Sequence, residues 1–348
     1  MPVKYTHLTQ KEQYGILHFS ARHFGKNSIV LEKDIWVCWV LKQIFEMPNR
    51  LSMAFKGGTS LSKIYKVIDR FSEDIDITLD YRQFEVCKEL NLGPNQTVPD
   101  SLSRSAIRRL SEALKANVQE YTMDVVIPYL KSQIQLLPNG EDFEVIAEGS
   151  EQIRFIYPSA IKEGGRRGYI KDYVLIEFGG RNIIDPSETH FIEPDVAEST
   201  DHIEYPSSQV VVLSPERTFW EKATLIHVEC HRGVRENAER LSRHWFDLTS
   251  LYSDDIGTQA IQNIELLKDV ISLKSTFYNA SYAHYGECLT GSFRLIPDPE
   301  GLTHLESDFS KMNEAGMLNH SSMSFEDVVE RIRTIEAHMN QMITEFHV

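Results

Sequence analysis

F-K-G-G-T-S-L-S-K-I-Y-K-V-I-D-R-F-S-E-D-I-D-I-T-L-D, residues 55–80, changes its period halfway along. Gly57 and Gly58 let the backbone approach an anion closely. Thr59 or Ser60 is the expected cap of a helix whose free N–H groups favour phosphate oxygens. Leu61, Ile64, Tyr65 and Ile68 then follow helical spacing. After Arg70 the period becomes two: Ile75, Ile77 and Leu79 point one way, and Asp74, Asp76 and Thr78 the other. Two carboxylates on one face of a strand can share divalent cations. Magnesium takes oxygen ligands, with a nucleotide's phosphates completing its shell. A D-x-D pair alone equally describes a solvated strand edge. With a glycine turn one helix upstream, it has the layout of a metal-dependent nucleotidyl-transfer site.

The composition sets bounds around this stretch. A chain of 348 residues is long enough for two domains with a sizeable core. It is 41% hydrophobic and 25% charged, ordinary for a globular protein. No apolar run approaches the roughly 20 residues needed to span a bilayer. The start M-P-V-K-Y-T-H-L-T-Q lacks a signal-peptide core, so a cytoplasmic location is expected. Cys38, Cys87, Cys230 and Cys288 lie far apart and read as reduced thiols. A net charge of −15 argues against a generic nucleic-acid coat and against anionic membranes. It leaves a nucleic-acid substrate open, because the location of charge matters more than its sum. Basic residues recur between Arg217 and Arg243 and at Lys162, Arg166, Arg167 and Lys171, whereas 185–204 carries seven acids and no Lys or Arg. Each run read singly is a solvated face.

The segment resembles the first two motifs of the AbiEii/AbiGii nucleotidyltransferase toxins. Gly58-Thr59-Ser60-Leu61-Ser62-Lys63 is close to G-S/T-x-x-L-K/R with one residue of slack. Arg70-Phe71-Ser72 leads into Asp74 and Asp76 as in the family's D-x-D motif. Glu32-Lys33-Asp34-Ile35-Trp36-Val37 is similar to the family's E-K-D-Y-W-V element; its side chains either buttress the site or hold a helix start, with Asp34 near the positive dipole end. The resemblance implies a third carboxylate on a neighbouring strand. Glu177, which interrupts the apolar run Tyr173–Phe178, is assigned that role: metal ligand and acceptor of the attacking hydroxyl's proton. The alternative is a salt bridge to Arg181 or Arg154. Carried over residue by residue, the family's later lysine and aspartate fall on Lys222 and Asp247. The lysine would bind triphosphate oxygens and the aspartate would hold it, although a simple interhelix salt bridge also accounts for Asp247.

Along the rest of the chain, helices are expected over 8–25, 32–46 and 101–123, and helix or loop over 124–135. Residues 91–99 read as a loop, as does the Gly164-Gly165 region. Strands are expected at 53–55, at 143–147 paired with 153–157, at 173–178 and at 210–213, with an irregular acidic crossing at 185–208. Ser214-Pro215-Glu216 is a helix start. Further helices are expected over about 236–252 and 259–284, followed by a last one capped by Ser324. Val328, Ile332, Ile335, Met339 and Met342 form its stripe. His227 and His231 have the spacing of a helical zinc pair, but H-V-E-C-H is not H-E-x-x-H, and a packed histidine pair is the simpler reading.

The reading that follows is an α/β (α+β) fold. A nucleotidyltransferase-type mixed sheet with flanking helices occupies 1–212, and a helical domain, 213–348, closes over it. Phosphates would lie on Gly57, Gly58, Thr59, Ser60 and Lys63, with Lys222. Two Mg2+ would be held by Asp74, Asp76 and Glu177. The resemblance implies a toxin that transfers NMP from an NTP to a tRNA 3′ end and is restrained by an antitoxin. Transfer to a protein or small molecule, and nucleotide binding without transfer, are the alternatives.

Overall fold

The structure, a computed structural model, describes residues 2–88, 98, 102–161, 171–236, 239–318 and 323–346. Apart from Val98, the expected 91–99 loop lies outside them, as do Gly164-Gly165 and the basic residues Lys162, Arg166 and Arg167. The chain divides into two compact units. One comprises Met1–Ile64, Phe71–Asn91 and Leu110–Val212; the other comprises Tyr65–Arg70, Leu92–Arg109 and Leu213–Val348.

The first unit opens with helix α1 (Gln10–Phe24), started by a reciprocal capping box between Thr9 and Glu12 and ended by Gly25 at φ 64°. Asn27, between the helices expected over 8–25 and 32–46, accepts from Ile29 N–H at 2.9 Å and starts α2 (Ser28–Glu46), four residues earlier than expected. Glu32, Lys33 and Asp34 therefore lie inside α2 and not at its dipole end. The sheet strands are β1 (Met53–Lys56), followed by α3 (Gly57–Lys63), then β2 (Ile75–Asp80). Helix α4 (Arg104–Tyr121) runs through a π-turn at Thr122–Val126 into α5 (Ile127–Ile134). Strands β3 (Glu144–Glu148), β4 (Gln152–Ile156), β5 (Tyr173–Asn182), β6 (Ser187–Ile192) and β7 (Ser208–Leu213) complete the main sheet, and Val3–Lys4 pairs in parallel with Ile203–Glu204 apart from it.

They form one seven-stranded mixed sheet in the order β3-β4-β5-β2-β1-β7-β6. The β2/β5 and β1/β7 pairs are parallel, and β1/β2, β3/β4 and β4/β5 are antiparallel. Trp36 and Trp39 pack α2 onto the β3/β4 hairpin: Trp36 stacks on Tyr157 at 5.5 Å and Trp39 on Phe155 at 5.1 Å. Two expectations fail here. The supposed irregular crossing contains β6, an edge strand too polar to show an apolar alternation. Gly179-Gly180 does not end β5, which continues to Asn182. A Cβ on Gly180 would lie 2.2 Å from Val118 Cγ2, so glycine there admits α4 against the strand.

The second unit is helical where described: α6 (Pro215–Arg232), α7 (Arg243–Ser253), α8 (Ile256–Gln262), α9 (Ile264–Phe277), α10 (Pro299–Glu314) and α11 (Phe325–Phe346). Ser214 Oγ accepts from Arg217 N–H and starts α6. Helix α7 starts at Arg243, later than expected. The single helix expected over 259–284 is split at Asn263, whose side chain caps α9 through Leu266 N–H. On α11, Val328, Ile332, Ile335 and Met339 are buried as a stripe, with Ile343 and not Met342 at its end. Glu336 accepts from Leu295 and Ile296 N–H, and Asn340 exchanges two bonds with Phe293, so α11 clamps the 293–296 segment. His227 is fully buried; its Nδ1 accepts from Arg294 N–H at 3.0 Å, which places the proton on Nε2, 3.3 Å from His284 O. Burial, then the neighbouring His231, lowers its pKa to about 4.

Two outcomes follow from these buried polar groups. Lys33 and Glu73 form an ion pair at 2.6 Å with both side chains 1% exposed. Lys33→Met removes the cation paired with Glu73 in the interior and is expected to cost about 3–5 kcal/mol of unfolding free energy, read by urea denaturation. The unfolded chain protonates His227 near its ordinary value, whereas the folded chain resists until about pH 4. Its contribution is therefore complete above about 6.5 and lost as pH falls from there towards 4. Over that window the stability of His227→Asn should vary with pH by about one proton less than wild type.

Candidate active site

Strand register gathers the acids. Asp76 on β2 is the cross-strand partner of Glu177 on β5, and cross-strand partners project from the same face. The same row continues on both sides: Gln152 on β4 is opposite Glu177, and Lys56 at the end of β1 is opposite Asp76. Gln152, Glu177, Asp76 and Lys56 thus cross four adjacent strands, and all four line one cavity of about 220 Å³, with Ile77, Glu151, Phe178 and Gly179. That volume suits a cation and phosphate oxygens better than a whole nucleotide. Asp74 precedes β2 and is buried.

The row is electrostatically tense. Burial, followed by the Asp76 charge, pushes the Glu177 carboxyl up to about 7. Asp74 and a hydrogen bond shared with Asp76 add to the rise, and a hydrogen bond from Gln152 opposes it. Neither alternative arginine closes on Glu177: Arg154 pairs with Glu148, and Arg181 approaches Glu151 at 3.8 Å.

Gly57 explains how Asp76 fits. Its φ is 79°, and a Cβ built on it would lie 2.0 Å from Asp76 Oδ2, so the carboxylate occupies the space a side chain would fill. The cradle differs from expectation in its details. Helix α3 begins at Gly57 with Lys56 as N-cap, so neither Thr59 nor Ser60 caps it, and it ends at Lys63, before Tyr65 and Ile68. Thr59 is buried, and its Oγ1 donates to Asp74 O and lies 2.9 Å from Ser72 Oγ; Ser60 Oγ donates to Gly57 O at 2.9 Å. Both hydroxyls are used inside the fold, leaving backbone N–H groups as what this turn offers an anion.

Lys63 is a correction. It was expected on the phosphates, but its Nζ lies 2.8 Å from Asp34 and 2.9 Å from Asp195, with its side chain 7% exposed. Burial would lower its pKa, yet Asp34 and the other surrounding acids hold it well above the ordinary value. It is a structural cation.

In the second unit, Arg70 Nε and Nη2 donate to the two oxygens of Asp247 at 2.6 and 2.8 Å, and Lys222 Nζ lies 2.8 Å from Asp247 Oδ2. All three are buried. Asp247 stays ionised because Arg70 and then Lys222 outweigh the burial that would raise it. Burial lowers Lys222, opposed by Asp247 and reinforced by Arg70. Arg70, read in the sequence only as a lead-in to D-x-D, is thus a member of this triad.

Among the described residues, His227, His231 and Glu287 also bring ligand atoms within 4.8 Å of one another. His227 cannot ligate as found, since its one lone pair is taken by Arg294 N–H and its Nε2 carries the proton. The Asp76 and Glu177 set is all oxygen, the donor chemistry of Mg2+ or Mn2+, and its mutual repulsion is what a divalent cation relieves. Gln152 and Lys56 were not singled out from sequence. Lys56 adjoins the glycine pair, and Gln152 opens a polar/apolar alternation in which Ile153 and Phe155 are buried; those were their only signals.

No curated protein matches the chain. Among solved structures it is similar to MenT4, a nucleotidyltransferase toxin from Mycobacterium tuberculosis H37Rv, at 14% identity over 97% of this chain and 99% of that one, with a TM-score of 0.38. A family model described as "Nucleotidyl transferase AbiEii toxin, Type IV TA system" matches residues 39–331. That match spans most of the sequence, including every candidate site residue, and the chain belongs to the AbiEii family of nucleotidyltransferase toxins.

Proposed function

We propose that this toxin transfers a nucleoside monophosphate from an NTP to the 3′-terminal hydroxyl of tRNA in a reaction that depends on a divalent metal, with Asp74, Asp76 and Glu177 holding the metal. The observation that carries the reading is the registered pair Asp76–Glu177 lining the small cavity, beside a glycine whose missing side chain makes room for Asp76. Magnesium bound there would neutralise the polyphosphate and polarise its oxygens. The backbone of Gly57 and Gly58, with Thr59 and Ser60 holding the turn's shape, receives the phosphates. The acceptor hydroxyl attacks the α-phosphorus: a new O–P bond forms, the α–β bridging P–O bond breaks, and pyrophosphate leaves. Ionised Glu177 takes the hydroxyl proton. Lys222, held by Asp247, neutralises the triphosphate as a point charge. The antitoxin that the family implies would restrain the activity.

Incubation of the protein with each labelled NTP and total tRNA tests this. Label is expected at the tRNA 3′ end, abolished by EDTA and restored by Mg2+ or Mn2+. Label confined to protein or small molecules would redirect the acceptor, and NTP binding without any transfer would remove the catalytic reading. Glu177→Gln should slow transfer by about 10²–10⁴-fold. Gly57→Ala should lose transfer because its methyl group displaces Asp76, while circular dichroism stays native. Expression should arrest growth, and Asp74→Ala or Lys222→Ala should relieve the arrest; mutants as toxic as wild type would show that the toxicity is not catalytic.

A further inference from the structure

Gln152 is the one member of the four-strand row with no formal charge, and it sits against the carboxylate whose charge is most contested. Its Nε2 donates to Glu177 Oε1, and Glu177 is flanked on its other side by Asp76. We propose that Gln152 is a positioning residue: it fixes one oxygen of Glu177 so that the other is presented with Asp76 to a divalent cation.

The identity of the residue supports this. A lysine or arginine at 152 would steady Glu177 but would also neutralise it and compete with the cation. An acid would add repulsion to a pair already sharing a hydrogen bond. A neutral amide supplies a donor and leaves the charge of the set intact. Its position is fixed by antiparallel pairing, in which Ile153 and Phe155 are buried on the opposite face of β4 and hold the strand in register. Hydrogen-bond partners of ligating carboxylates orient them in this way, and their loss typically costs about 10–100-fold in metal affinity.

The inference rests on the three-carboxylate reading above, and the test separates the two. Mn2+ binding to the full-length protein without nucleotide is measured by electron paramagnetic resonance for wild type, Gln152→Leu, Gln152→Ala and Gln152→His. Thermal unfolding is followed in parallel. Leucine keeps the bulk and removes the donor, alanine only removes atoms, and histidine returns an N–H at similar reach. The expected result is Mn2+ affinity about tenfold weaker for leucine and alanine, largely recovered by histidine, with melting temperatures that do not follow that order. Wild-type affinity in Gln152→Leu and Gln152→Ala, or equal loss in Gln152→His, overturns the positioning role while leaving the metal site standing. A folded wild type that takes up no Mn2+ overturns the three-carboxylate reading, and this inference with it.

Discussion

The Lys33–Glu73 ion pair is the constraint on which the first unit's site depends. Glu73 is the residue before Asp74, and its Oε2 receives both Lys33 Nζ and Lys171 N–H. Lys33 Nζ also donates to Lys171 O at 2.8 Å. One buried charge pair thus ties α2 to the approach of β2 and to the approach of β5. Those two strands carry Asp76 and Glu177, and pinning both at their starts sets the register that makes the acids neighbours. A one-residue slip would turn one acid to the opposite face. Glu32 and Asp34 act on either side of Lys33. Glu32 accepts from Ser159 Oγ and Ala160 N–H, and Asp34 takes Lys63 of α3 and Asp195 N–H. Three consecutive side chains of one helix hold five separate segments, at Ser159-Ala160, Glu73, Lys171, Lys63 and Asp195. The E-K-D element is therefore scaffold, and Lys63 serves the scaffold too.

The site sets the acids Asp76 and Glu177 side by side, which costs free energy. Glu177 near 7 is the visible part of that cost. A fold can tolerate it where the geometry is imposed from outside, and here it is. Register sets the spacing, Gln152 and Lys56 bracket the acids, and Gly57 removes the side chain that would push Asp76 away. Thr59 adds a direct clamp from α3 to the carbonyl of Asp74. The strain sits at the acids, while Thr59 and Gln152 beside them are hydrogen-bonded within the unit.

How much of this was legible in the sequence depended on range. The period change after Arg70 gave β2, and the capping residues at Ser214 and Ser324 gave helix starts, because those signals are local. The partner of Asp76 was assigned through family resemblance, since nothing in 75–80 says which strand lies alongside. Lys63 misled because a lysine one turn beyond a glycine pair looks like a phosphate ligand, and its acids, Asp34 and Asp195, lie far away in sequence. Strand β6 was hidden by polar residues at an edge, where too little of the strand is buried to impose an alternation. Arg70 was hidden because its partner is 177 residues away.

The triad in the second unit shows why an arginine belongs with the lysine and aspartate. A lone Lys222–Asp247 pair would be neutral, and a buried neutral pair offers little to an anion. Arg70 engages both oxygens of Asp247 in a fork, the strongest geometry available to that carboxylate. With Arg70 already neutralising Asp247, the triad carries one net positive charge, and Lys222 is the member whose burial and like-charged neighbour press it towards the neutral amine. An approaching phosphate reverses that pressure, because an anion near Nζ favours the ammonium form. Lys222 is thus held by a carboxylate that Arg70 also grips, so an anion brought to Nζ would meet an ammonium group already fixed in place.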